Sequence, residues 1–285
     1  DTTMFFFTLR PNIRLSYRTK SMHDISASYS FSSSKPSTNS LSTFRDYEEE
    51  SYSVGNRNLE NAYTHRVGLR WSKFFKMAGY VSASFNSSWS NNSISSVMDM
   101  VYDDYLDRYI SFSMPYNLGS SSSQSLMLMG NLRLGAFANL NIYTTLSHDM
   151  YAMDYIDGNH YEQENTSLRG NVSLWSRFSE QFQVFIGTYA STPTKSIFSK
   201  SDYYYNLNFG TTANFFDKRL TLSLRVEDPF NWNKSENSNF APYLHTYSTR
   251  KYDSRFISFS ITLKFGKLEL ENHQAPAEGG GGGEM

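Results

Sequence analysis

Between Phe256 and Gly266 the chain reads FISFSITLKFG: Ile257, Phe259, Ile261, Leu263 and Phe265 fall on one side of a two-residue period, Ser258, Ser260, Thr262 and Lys264 on the other. Side chains of a strand alternate between its faces, so this segment has one apolar and one wet face. The same period recurs along most of the chain. Leu168, Gly170, Val172 and Leu174 oppose Arg169, Asn171, Ser173 and Trp175, and Leu220, Leu222, Leu224 and Val226 oppose Thr221, Ser223 and Arg225. Alternately short and long polar connections separate these segments. The pattern predicts an all-β fold, an antiparallel transmembrane β-barrel with lipid outside and a polar lumen inside.

Composition excludes the helical alternative. The 285 residues are 39% hydrophobic and 16% aromatic, with 21 Tyr and 22 Phe, yet mean hydropathy is -0.53. A helical span needs about 20 consecutive apolar residues, and the longest apolar runs here are of the kind at Met4–Phe7. A barrel strand needs only about 9–11 residues, half of them apolar. The surplus Tyr and Phe then belong to interfacial girdles. A net charge of -1 speaks against a nucleic-acid partner. The absence of cysteine excludes a disulfide framework and a thiolate metal site. The chain opens on Asp1 with no signal-peptide pattern, as expected of a processed chain or a fragment of a longer one.

Parity then organises the chain. If the final strand descends to the periplasm at Phe265, the tight Phe216–Lys218 turn, the 177–181 connection and the 135–138 turn are periplasmic, and the stretch from Asn231 to Arg250 is an extracellular loop. A strand rising from Gly79 extends far beyond the membrane towards Met100 and an acidic tip at Asp103 and Asp104. The expected total is about eleven strands. Single-chain bacterial barrels have even numbers, so about eleven suggests half of a 22-stranded barrel, the size of the plugged transporters; ten or twelve would close a small barrel. Residues 1–266 form this part of the barrel, and 267–285, with the Gly279–Gly283 run, form a Gly-rich periplasmic tail expected to be disordered.

Short motifs sit in an order that resembles a known family. Leu9, Arg10 and Pro11 open the first strand; Tyr29, Ser30 and Phe31 follow, then Lys35, Pro36 and Ser37. Gly55, Asn56, Arg57, Asn58, Leu59, Glu60, Asn61 and Ala62 precede the next strand. Val226, Glu227, Asp228, Pro229, Phe230 and Asn231 come late, and Phe265, Gly266 and Lys267 end the barrel. These are similar to the carboxy-terminal barrel of TonB-dependent receptors, in particular the outer membrane β-barrel family common in Bacteroidetes. Arg57 and Asn61 stand where that family has prolines, and Ala62 where it has an acid. The resemblance implies energy-coupled import of an unidentified nutrient across the outer membrane. It also implies partners: outer-membrane lipid and lipopolysaccharide, the remaining barrel strands, a plug domain, and TonB engaged through an amino-terminal region, the last three outside this chain.

The wet face is basic. Parity points Arg14, Arg66, Arg70, Arg133, Arg169, Arg225 and Lys264 into the lumen, with Glu227 as the acid among them; a lipid-facing Arg would cost about 2–4 kcal/mol at the midplane. These residues either line an electropositive path or pair with acids of the absent partners. Ile257, Phe259, Ile261, Leu263 and Phe265 are expected to form the barrel-assembly signal. His148 with Asp149, and Asp103 with Asp104, resemble the pairs with which ten-stranded outer-membrane proteases activate water, so a rim protease is a third reading after a transporter and a stand-alone structural or adhesive barrel. The run Asp46, Glu48, Glu49 and Glu50 could hold a divalent cation and reads more simply as a solvated loop. No catalytic, cofactor or metal site is expected.

Overall fold

The computed structural model describes residues 7–266 apart from 48–50, 77, 105, 156–157, 242–243 and 252. In chain order the elements are β1 (Asn12–Arg18), β2 (His23–Ser34), α1 (Thr38–Leu41), β3 (Asp46–Tyr47), β4 (Ser51–Ser53), β5 (Ala62–Phe75), β6 (Gly79–Asp103) and β7 (Arg108–Leu134). They continue with β8 (Ala138–Asp154), β9 (His160–Arg177), β10 (Phe182–Ser191), β11 (Thr194–Lys195), β12 (Ser199–Ser201), β13 (Tyr204–Phe215), β14 (Leu220–Glu227), β15 (Lys234–Ala241), β16 (Leu244–Lys251) and β17 (Phe256–Leu263). No helix among the described residues is long and apolar enough to cross a membrane.

Eleven strands form one continuous antiparallel path, β1-β2-β5-β6-β7-β8-β9-β10-β13-β14-β17. The expected number and order therefore hold. The sheet is open among the described residues, with β1 and β17 as its edges.

Register carries the parity across the whole wall, because directly paired residues of an antiparallel ladder share a face. One outward row runs Leu15, Ala27, Leu69, Phe85, Leu126, Leu146 and Leu168 over seven adjacent strands. The next row, on the inner face, is Arg14, Ser28, Gly68, Asn86, Ser125, Ser147 and Ser167. No register slip interrupts these rows, since a one-residue shift would turn every leucine to the lumen.

The periplasmic connections 19–22, 76–78, 135–137, 178–181 and 216–219 are all short. Their backbone is specialised. Gly79 has φ +102 where β6 starts, and a Cβ there would lie 1.8 Å from the Asn131 carbonyl oxygen, so only glycine fits. Phe216, Asp217 and Lys218 take φ of 51, 53 and 66 in succession, a left-handed path costing roughly 1–2 kcal/mol per residue and offset by the β13–β14 ladder it closes.

Outside the membrane the architecture departs from simple loops. The 231–250 stretch, expected as a loop, contains the β15–β16 hairpin, which joins β11 and β12 in a second, four-stranded sheet. Its residues alternate polar with polar, as in Lys234, Ser235, Glu236 and Asn237, so no apolar period betrays the strands. β4 also pairs parallel with β7, through Ser51–Ser53 and Ser111–Ser113. The acidic run is described only at Asp46; Glu48–Glu50 and the tail beyond Gly266 lie outside the described residues.

Candidate functional site: the basic inner wall and the extracellular crown

Register puts Arg14, Arg66, Arg70, Arg133, Arg169, Arg225 and Glu227 on the face of the sheet opposite the leucine row, whereas Lys264 follows the last residue of β17 and has no register partner. Arg14 stands beside Ser28, Arg66 between Ser30 and Ser88, and Arg70 between Ser26 and Ser84. Arg133 pairs with Asn139, Arg169 lies between Thr145 and Ser191, Arg225 between Gly210 and Ser258, and Glu227 between Asn208 and Phe256. They line the wall without converging on one point. Arg225 and Glu227 pair at 2.7 Å, and Arg66 donates to Ser32 Oγ at 3.4 Å. Arg14, Arg70, Arg133 and Arg169 take part in no ion pair among the described residues. Three residues on this face escaped the sequence reading: Arg18, Asp24 and Arg177. Asp24 holds Arg18 through two hydrogen bonds of 2.6 and 2.8 Å. Arg177 extends the Arg169 parity and pairs with Gln183; counting on by twos from Arg169 would have found it.

On the outward face the apolar belt ends sharply. Above Leu126, Leu146 and Leu168 the next outward row is Gln124, His148 and Thr166. His148 donates or accepts with Thr166 Oγ1 at 2.9 Å and lies 3.4 Å from Glu164. Higher up, His160 sits between Asp154 at 2.6 Å and Glu162 at 3.1 Å, and hydrogen bonds to both carboxylates raise its pKa. Asp149 points the other way, towards Ser123 on the inner face. His148 and Asp149 therefore do not form a pair. Asp103 is farther off still: Asp149 is level with Ser123 and Ser88, which leaves about 50 Å of strand up to Asp103 at roughly 3.3 Å per residue. The constellation of a rim protease is not assembled. Among the described residues no group of three or more His, Asp or Glu is placed to hold a metal ion.

The crown above the belt owes its shape to the motif at 55–62. Ser37 caps α1 by accepting from the Ser40 amide at 3.0 Å. The Gly55 and Asn56 amides then donate to the Ser42 and Ser40 carbonyls at 2.6 and 2.7 Å. A Cβ on Gly55 would lie 2.4 Å from the Ser42 oxygen, which explains the glycine. Asn56 donates to the Pro115 carbonyl at 3.1 Å and accepts from the Asn58 amide at 2.9 Å. Leu59 is buried. Asn117 accepts from the Glu60 amide at 2.8 Å and donates to the Glu60 and Asn92 carbonyls at 3.1 and 2.9 Å, and Asn92 donates to the Asn61 carbonyl at 2.9 Å. The motif is thus a strap that fixes the first extracellular loop to the β6–β7 hairpin. Tyr52 lies against Tyr47 and Phe112, with centroids 5.3 and 5.1 Å away. Val97, Ile110 and Tyr155 are buried, and the Tyr155 hydroxyl donates to the Met98 carbonyl at 2.9 Å.

The Asp228–Asn231 motif closes the final loop. Asp228 is fully buried and accepts from the Trp232 amide at 2.7 Å, the Asn233 amide at 3.0 Å and the Ser254 hydroxyl. Burial pushes its pKa up, but these hydrogen bonds together with Arg255 outweigh that and hold it below the usual carboxylate range. Phe230 stacks on Trp232 with centroids 4.5 Å apart.

A continuous antiparallel wall with an outward apolar belt, a polar opposite face, short turns at one end and a built crown at the other defines an outer-membrane β-barrel. The chain belongs to the outer membrane protein beta-barrel family, whose model matches residues 3–263; it resides in the outer membrane. It has no match among curated proteins. Among solved structures it is similar to the open form of the ferric-catecholate import receptor Fiu from E. coli K12, at 10% identity and a TM-score of 0.40 over 90% of this chain. The chain spans about half of that receptor, 46% of its length.

Proposed function

We propose that this chain is the carboxy-terminal half of a TonB-dependent-receptor-like barrel of the Bacteroidetes type, which imports an unidentified nutrient around a plug domain. It acts as a transporter wall, with no catalytic residue of its own. The observation that carries this reading is the pair of free edges. Among the described residues an odd path of eleven strands ends on β1 and β17, and open amides facing hydrocarbon cost several kcal/mol each. Further strands between β17 and β1 would satisfy them. Arg14, Arg133 and Arg169, which take part in no ion pair among the described residues, would meet acids of the plug or of the other half.

Residues 1–285 alone, refolded into liposomes, should give no discrete heat-modifiable, protease-resistant band, whereas the full-length protein should. A discrete band from 1–285 would establish the stand-alone structural or adhesive barrel instead. Import is tested separately. A strain lacking the protein should fail to accumulate one nutrient, and collapsing the proton-motive force should abolish that uptake in the parent.

A further inference from the structure

At the extracellular end of β2 and β5 the outward face opens into a cleft of about 490 Å³. Its sides are apolar: Leu9, Leu59, Phe31 and Tyr63, the last two stacked with centroids 6.1 Å apart. Counting by twos from the outward Ala27 and Leu69 puts Phe31, Ser33 and Tyr63 on the lipid side, and Ser33 pairs with Tyr63. Trp71 lies on the same face of β5, eight residues nearer the periplasm than Tyr63; that is roughly 26 Å of strand, or about 20 Å of height at a tilt near 40°. Tyr63 and Trp71 therefore mark the two aromatic girdles of the apolar band. The cleft sits where hydrocarbon gives way to headgroups.

The polar groups lining this cleft are acceptors in want of a donor. Ser33 is 2% exposed, and its Oγ has no hydrogen-bond partner among the described residues; the buried Asn61 Oδ1 has none either. Asn61 is held in this orientation, because its Nδ2 donates to the Phe7 carbonyl at 2.8 Å. The Ser33 amide is likewise engaged, with the Leu9 carbonyl at 3.2 Å. Glu60 adds a carboxylate, whose Oε2 accepts a long bond of 3.5 Å from Asn92. Buried acceptors left without a donor are costly. We propose that the cleft holds the headgroup of a phosphatidylethanolamine molecule, its ammonium donating to Ser33, Asn61 and Glu60 and its acyl chains running down the belt below Phe31 and Tyr63. An ammonium has three donors, no acceptor and the charge opposite to that of Glu60, and the two rings favour a cation beside them. A phosphate headgroup alone brings neither a donor nor the right charge. A choline headgroup brings the charge without an N–H. The site holds whether or not the barrel imports a nutrient.

The test reconstitutes the full-length protein in phosphatidylcholine vesicles carrying a trace of photoactivatable phosphatidylethanolamine, with cross-links mapped by mass spectrometry. Labelling should concentrate at 31–33 and 59–63. Adding unlabelled phosphatidylethanolamine should lower it there roughly threefold or more, the effect of a lost hydrogen bond, and leave labelling elsewhere on the belt unchanged; phosphatidylglycerol should not compete. Uniform labelling along the belt, or equal competition by phosphatidylglycerol, would overturn the proposal. Stronger displacement by lipopolysaccharide than by phosphatidylethanolamine would overturn it as well and assign the cleft to lipid A. Ser33→Ala removes an oxygen that no protein group engages, so the variant should assemble as the parent does. Its cross-link at the cleft, and that of Glu60→Gln, should fall roughly threefold. Phosphatidylethanolamine should raise the heat-modification midpoint of the parent more than that of Ser33→Ala. Unchanged cross-linking in both variants would show that these acceptors bind no headgroup; if Glu60→Gln fails to assemble, Ser33→Ala decides.

Discussion

Leu126 and Leu168 in the belt are 43% and 47% exposed, whereas Val97 and Ile110 in the crown are 1% and 2% exposed. All four are aliphatic residues of antiparallel strands in one sheet. The belt has no protein core, because lipid is the apolar phase that its outward residues enter, and its inner face is wet. The crown stands in water and has to make a core of its own. It does so by laying β4 on β7, strapping 55–62 onto Asn92 and Asn117, and burying Leu59 and Tyr155. One strand, β6, passes through both regimes. Its 25 residues exceed twice the about 9–11 that a membrane crossing needs.

Disrupting the belt at its last strand should have the largest effect. Leu263→Asp with Phe265→Asp should prevent assembly and send the protein to periplasmic degradation, while deleting 267–285 leaves surface protein near its normal level; immunoblots of outer-membrane fractions read both. If the tail deletion abolishes assembly and the double substitution does not, β17 is not the terminal recognition strand. Next comes a single face reversal. Leu132→Arg places a cation in lipid near the periplasmic end of β7, at a cost below the about 2–4 kcal/mol of the midplane, and should reduce folded protein, whereas Arg133→Gln, one residue on and on the opposite face, should assemble. Equal heat-modifiable fractions would mean that the faces are misassigned in β7.

The crown should fail locally. Val97→Ala removes two buried carbons at about 0.8 kcal/mol each plus a cavity term, about 2 kcal/mol together. Extracellular protease on intact cells should then cut the 104–107 and 35–61 segments faster, with barrel heat-modifiability unchanged. A change in both would mean that crown and belt unfold as one unit. The smallest expected effect is a pH dependence at Asp228. Its folded pKa is lowered, so the contribution is fully present above the unfolded value of about 3.9 and is lost as pH falls through the lower folded value. Protease sensitivity of 228–255 should therefore stay flat from pH 7 to about 4 and rise below it, and Asp228→Asn should remove that rise while raising sensitivity at pH 7.

The two-residue period by itself determined the belt. Lipid imposes one uniform requirement on every crossing strand, so Leu132 against Arg133, or Leu224 against Arg225, can be assigned to a face without knowing any neighbour. Parity counted back from Phe265 then ordered the eleven strands of the path. Only the tertiary structure decided the rest. In water a strand such as Lys234–Ala241 can be polar on both faces, so its pairing is set by a partner and not by a period. His148 and Asp149 are adjacent in sequence but opposite in space, because neighbouring residues of a strand diverge. Asn56, Asn92 and Asn117 became a strap, and Ser33 and Asn61 came to line a shared cleft, through contacts between residues tens of positions apart, which no local pattern records.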